Sequence, residues 1–115
     1  MSFLPVQNFP VVIREFVLTH IVPNAPSGKV KFGLAFLTSY IQDGITRQIE
    51  GMLPAAKAWG IIDDQNRFDL EKGKKAAIDA LSAAGGKVPL IEGLYDVDVG
   101  DLNKIFEIAQ RHATN

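Results

Sequence analysis

The chain has 115 residues, 47% of them hydrophobic and 22% charged, with 12 basic and 13 acidic side chains. Such a length suits one domain spanning 1–115, with a core that needs no staples, and the apolar content is too high for disorder. A formal charge of −1 gives no overall field for nucleic acid or an anionic membrane, while the lack of cysteine excludes disulfides, thiolate zinc sites and cysteine nucleophiles.

A reducing cytoplasm fits that cysteine usage. No apolar run reaches the roughly 18 residues of a membrane span, and MSFLPVQNFP lacks the basic and apolar regions of a signal peptide. A cytoplasmic protein with no membrane partner is expected.

Residues 1–9 read as an N-terminal arm, in which Phe3, Leu4, Val6 and Phe9 are apolar while Pro5 and Pro10 restrict regular structure. The next run, PVVIREFVLTHIV from Pro10 to Val22, reads as a helix with Asn8 as its cap and proline in its first turn. Its β-branched residues would also suit a strand. A helix so apolar all round needs burial on most sides. Pro23-Asn24-Ala25-Pro26 then makes a turn, because each proline drives its predecessor out of the helical region.

Ser27 to Met52 is the longest helical pattern, with Ser27 as N-cap. At about 100° per residue, Val30, Leu34, Leu37, Ile41, Ile45 and Met52 fall on one aliphatic stripe and Phe32, Phe36 and Tyr40 on another. Between them Gly33, Gly44 and Gly51 lie within roughly 20° of one another. Each glycine costs about 1 kcal/mol relative to alanine, which asks for a compensating close approach. A rod of about 26 residues is roughly 39 Å long, whereas a compact chain of this size has a radius of gyration of about 13 Å. The helix must bend, near Gly44, or protrude and be covered by a second copy. The apolar half, 10–52, is therefore the expected oligomerisation region, with Phe16, Phe32, Gly33, Phe36, Tyr40 and Gly44 as interface residues.

Pro54 should break or restart that helix. The short PAAKAWG segment ends on Gly60, with Trp59 as a core anchor. Residues 60–70 read as an extended piece, a polar turn and a second extended piece leading into a helix over 69–84, capped by Asp69 and stopped by Gly85-Gly86. Lys87–Ile91 and Leu94–Val97 form a β-hairpin about Glu92-Gly93. Asp98 and Asp101 make a capping box for a last helix over 98–112, with Leu102, Ile105, Phe106 and Ala109 facing inward.

LPAAKAWGIIDDQNRFDLEK, then a lysine- and alanine-rich helix, then GGKVPLIEGLYDVDVGDLNKIFEIA resembles a pattern of small helical proteins from bacteria and their phages. In that pattern a Leu-Gly-Leu-Ile-Asp-Glu-Asn-Gly turn leads into a helix and a short hairpin leads into Asp-Val-Asp-Lys-Leu-Tyr. The resemblance spans residues 53–109 and departs at Arg67, where a small turn residue is usual, and at Phe106, where tyrosine is common. It implies a fold type and transfers no catalytic residues.

Chemistry-bearing sets are sparse. The run from Asp96 to Glu107 has a partial calcium-loop spacing, but Gly100 and Asp101 stand at positions five and six, where a ligand and then a glycine belong. The helix cap explains the same aspartates, so no metal is expected. His20 and His112 have no serine, aspartate or second histidine at motif spacing. Arg67, Lys72, Lys75 and Lys87 form a basic concentration without interleaved aromatics, which makes nucleic acid an improbable partner. No glycine motif for a nucleotide precedes a helix, and no cofactor is expected.

The expected fold is α+β, mainly α: four to five helices with a small hairpin near 87–97. The expected function is a non-enzymatic structural or interaction protein that forms a homo-oligomer through its N-terminal helices, of phage or mobile-element origin. The alternatives are a nucleic-acid accessory protein using the basic face, and a ligand binder or enzyme with an interface pocket near His20, Tyr40 or Trp59.

Overall fold

The computed structural model describes residues 2–25, 27–36, 38–91 and 95–114. In order come strand β1 (Phe3–Pro5), helix α1 (Phe9–Phe16), helices α2 (Gly28–Phe36) and α3 (Thr38–Ala58), and strand β2 (Arg67–Asp69). Helix α4 (Leu70–Ala83), strands β3 (Val88–Ile91) and β4 (Tyr95–Val97) and helix α5 (Val99–Arg111) complete the chain. The fold is α+β and mainly helical, with two small antiparallel strand pairs. Leu37, the side chains of Ile41 and Ile45, and the Glu92-Gly93 turn of the hairpin lie outside the described residues.

The core is built on α1. Val12, Ile13, Phe16, Val17 and Ile21 recur at helical spacing and are all buried, which decides the helix-or-strand ambiguity of the second segment. The helix continues through a π-helical turn, Val17–Ile21, and a 3₁₀ turn, Val22–Asn24. Helices α3 and α5 pack against α1, and Leu4, Leu70, Ile105, Phe106, Ile108 and Ala109 close the cluster. Asn8 does not cap α1. A 3₁₀ turn, Val6–Asn8, runs straight into the helix, and the Phe9 amide already donates to the Val6 carbonyl.

The apolar N-terminal arm packs on the rest of the fold. β1 pairs antiparallel with β2, Leu4 opposite Phe68, and Phe3 exchanges two backbone hydrogen bonds with Thr114, at 2.8 and 2.7 Å. Pro5 ends the strand, where a missing donor matters least. One short strand thus ties both ends of the chain to the middle.

Helix α3 also departs from expectation. It passes through Pro54 and ends at Ala58. The turn that loses its donor is exposed at both Glu50 and Pro54, so water can donate to the carbonyl left free. Its 21 residues make a rod of roughly 31 Å, longer than either short dimension of a molecule measuring 43 × 27 × 24 Å.

The C-terminal half follows its local signals. The Asp69 carboxylate accepts from the amides of Glu71 and Lys72 at 3.0 and 3.1 Å, and Gly85 and Gly86 take φ of 87° and 92° to end α4. Asp98 and Asp101 cap α5 reciprocally, each carboxylate accepting from the other's amide at 3.0 and 3.1 Å. Gly73 is where α4 admits the Phe68 ring: a Cβ there would stand 2.0 Å from Phe68 Cζ.

Candidate functional site

Two features stand outside ordinary packing: an aromatic stripe on α2 and α3, and an apolar cavity at the other end of α3. Phe32 is 73% exposed, Phe36 66% and Tyr40 67%. The Phe32 and Phe36 rings stack at 6.3 Å between centroids with 17° between planes, as i, i+4 neighbours on one helix face do. Leu34 is buried on the opposite side, and Thr38, also buried, donates its hydroxyl to the carbonyls of Leu34 and Ala35, joining α2 to α3. Ser27 caps α2, its hydroxyl accepting from the Val30 amide at 3.3 Å.

The glycine seam opens to space within this chain. Among the described residues a Cβ on Gly33, Gly44 or Gly51 would meet nothing within 4 Å, so none of them makes the close approach that would offset three helical glycines. Phe16, in contrast, belongs to the core: it is 0% exposed and cannot serve as an interface residue. The correction has a simple cause, since Phe16 lies on the side of α1 that is buried where α3 and α5 pack against that helix.

The cavity, of about 490 Å³ and half open to solvent, is lined by the end of α3, α4, the β3–β4 pair and the inner faces of α1 and α5. Every lining residue is apolar apart from the indole N–H of Trp59. Trp59 is no core anchor. It is 71% exposed and stands at the rim, because Gly60 turns the chain with φ of 75° immediately after it. His20 and Tyr40, expected to share a pocket with Trp59, are not among the lining residues.

The folded chain gives both histidines carboxylate partners that spacing alone did not reveal. His20 Nε2 lies 3.6 Å from Asp101 Oδ1, with its ring stacked on Phe16 at 5.2 Å. Glu15, on α1, faces Arg111, the last residue of α5, at 4.0 Å and His112, just after it, at 3.7 Å. Its Oε2 is shielded from solvent without a hydrogen bond, so the long Arg111 pair is what faces that charge. No signal in the sequence joins positions 15 and 112; only the α1–α5 contact does.

The basic concentration is partly neutralised. Arg67 Nε donates to Asp63 at 2.8 Å, its amide donates to the other oxygen of the same carboxylate, and its guanidinium lies 4.4 Å over the Phe3 ring. Partial burial pulls the Asp63 carboxyl upward, but these donors and the Gln65 amide outweigh it and hold it below its ordinary range. Lys72, Lys75 and Lys87 remain exposed on α4 and before β3. In the stretch with calcium-loop spacing, Asp98 and Asp101 cap each other and Glu107 faces Lys104 at 3.7 Å. Among the described residues no group of three metal-ligating side chains is brought together, and no described helix is long and apolar enough to cross a membrane.

Set against protein-family models, curated proteins and solved structures, the chain matches none.

Proposed function

We propose that this chain is a non-enzymatic structural or interaction protein that self-associates by pairing α2 and α3 with the same helices of a second copy. The observation that carries the reading is the exposed stripe of Phe32, Phe36 and Tyr40 beside a glycine seam that no described residue fills. Contiguous exposed aromatics on a small protein mark an interaction site, and aromatic residues carry much of the affinity of interfaces.

The charges favour a second copy as the occupant. On α3, Tyr40, Asp43, Gly44, Arg47 and Gly51 fall within an arc of about 100°. A two-fold pairing places the same patch on both sides, so an antiparallel α3 whose axis passes beside residue 45 sets Asp43 opposite Arg47 and brings Gly44 of each copy next to the crossing point. Pairing of this kind recovers the contact that helical glycines otherwise forgo. A phage or other mobile element is the origin that fits the resemblance of residues 53–109.

Absolute mass in solution, by light scattering across a concentration range, tests the reading. The expected result is a dimer that becomes a monomer in the double variant Phe32→Ser, Phe36→Ser, with helix content unchanged by circular dichroism. A monomer at every concentration overturns it.

A further inference from the structure

We infer that the cavity between α3, α4 and the β3–β4 pair is a binding site for a medium-length acyl chain, its hydrocarbon inside and its carboxylate at the rim beside Lys72. Protein interiors are close-packed, with few voids larger than a water molecule, and an opening of about 490 Å³ lies in the range of ligand pockets. At liquid density it has room for about 16 waters. Its walls offer them almost no hydrogen-bonding partner, so an apolar occupant displaces that water at little cost.

The space is written into the residue types. Ala76, Ala77 and Ala80 present one side of α4 to the cavity, and Ala56 presents α3; longer aliphatic side chains at these positions would fill it. Ala56, Ile62 and Leu81 are buried yet stand outside the main core cluster, because the cavity intervenes. The rim is amphipathic. Met52 and Trp59 are exposed apolar side chains there, and the Lys72 ammonium lies 3.9 Å from where a Cβ on Gly60 would be, next to Trp59. An apolar body with one anionic end matches that order. None of these residues belongs to the stripe of Phe32, Phe36 and Tyr40, so the site stands or falls independently of self-association.

Trp59 is the single tryptophan of the chain and reports occupancy directly. Titration with octanoate, decanoate and dodecanoate below their micellar concentrations is expected to shift its emission to the blue saturably, at one site per chain. Affinity should rise about fourfold per added methylene. Ala77→Leu should weaken dodecanoate at least tenfold without lowering the unfolding midpoint; Ala80→Leu, at an exposed rim position, makes the same test if Ala77→Leu does not fold. Lys72→Gln should weaken decanoate several-fold and leave decanol unchanged. Non-saturable shifts, affinity independent of chain length, or a folded cavity-filling variant that binds as the parent does each overturn the assignment.

Discussion

Helices α1 and α2 have nearly equal mean hydropathy, yet one is the centre of the core and the other displays its largest side chains to solvent. The difference lies in arrangement. In α1 the apolar residues gather on one side, leaving Arg14 exposed and Glu15 at the edge of the core against Arg111 and His112; in α2 Val30, Phe32, Leu34 and Phe36 spread around the axis, so burying Leu34 turns the phenylalanines outward. A single contiguous face can be buried by one neighbour, whereas an apolar circumference needs several. Helix α2 has too few neighbours within this chain, and that deficit makes it a candidate for intermolecular contact.

Removing the same side chain from each helix should separate the two most widely. Phe16→Ala should cost about 3–5 kcal/mol, through lost burial and the void left in a core that contacts it on all sides. Phe32→Ala should change the unfolding free energy of the monomer by no more than about 0.5 kcal/mol. Denaturant unfolding at concentrations where the mass is that of one chain measures both. A loss above about 2 kcal/mol for Phe32→Ala would mean that the Phe32 ring is packed against the rest of the chain.

A smaller effect separates glycines that are packed from glycines that are open. Gly73→Ala places a methyl group against the Phe68 ring, and overpacking of this kind costs typically about 1–3 kcal/mol. Gly51→Ala meets nothing and should stabilise the monomer by up to about 1 kcal/mol through helix propensity. Thermal melts of the two variants should therefore move in opposite directions. If Gly51→Ala also weakens self-association, the seam is part of the interface.

This pair also shows what the sequence disclosed and what it withheld. Local signals were legible: the caps at Asp69 and Asp98, the stop at Gly85-Gly86, the polar turn before β2 and the inward set Ile105, Phe106 and Ala109 all follow from chemistry within a few residues. The exposed aromatic stripe was legible too, because helical periodicity gives two apolar faces and a small chain has little with which to cover both. What failed depended on distant partners. Nothing near Gly73 announces the Phe68 ring, nothing near Phe3 announces Thr114, and Trp59 is exposed because of where the chain turns at Gly60. Phe16 and Phe32 are alike in being phenylalanines of apolar helices; which one is covered is decided by the elements that pack on α1, among them α5, far away in sequence. The cavity lies furthest from sequence reasoning, since alanines spaced along α4 become a wall only once α3 and the hairpin stand opposite.

The smallest expected effect concerns acid, and it sets the capped end of α5 against the rest of the fold. The Asp98 carboxyl is held below its ordinary range, first by the Asp101 amide that donates to it, with the Gly100 amide and the Lys87 charge adding to the effect against a modest upward pull from burial. In the unfolded chain the same carboxyl titrates near about 3.9. A pKa lower in the folded state means that the unfolded state binds the proton more readily, so the stabilisation is fully present above that value and is lost as pH falls through the folded pKa. Amide exchange at Asp101 should therefore stay slow down to below about pH 3.9 and then accelerate, while the Ile105 amide in the helix interior changes less. Asp98→Asn keeps an acceptor at the cap but removes the titration, so in that variant the acid-dependent acceleration at Asp101 should disappear. If it persists, the transition belongs to global unfolding, and the cap is not the element that acid releases first.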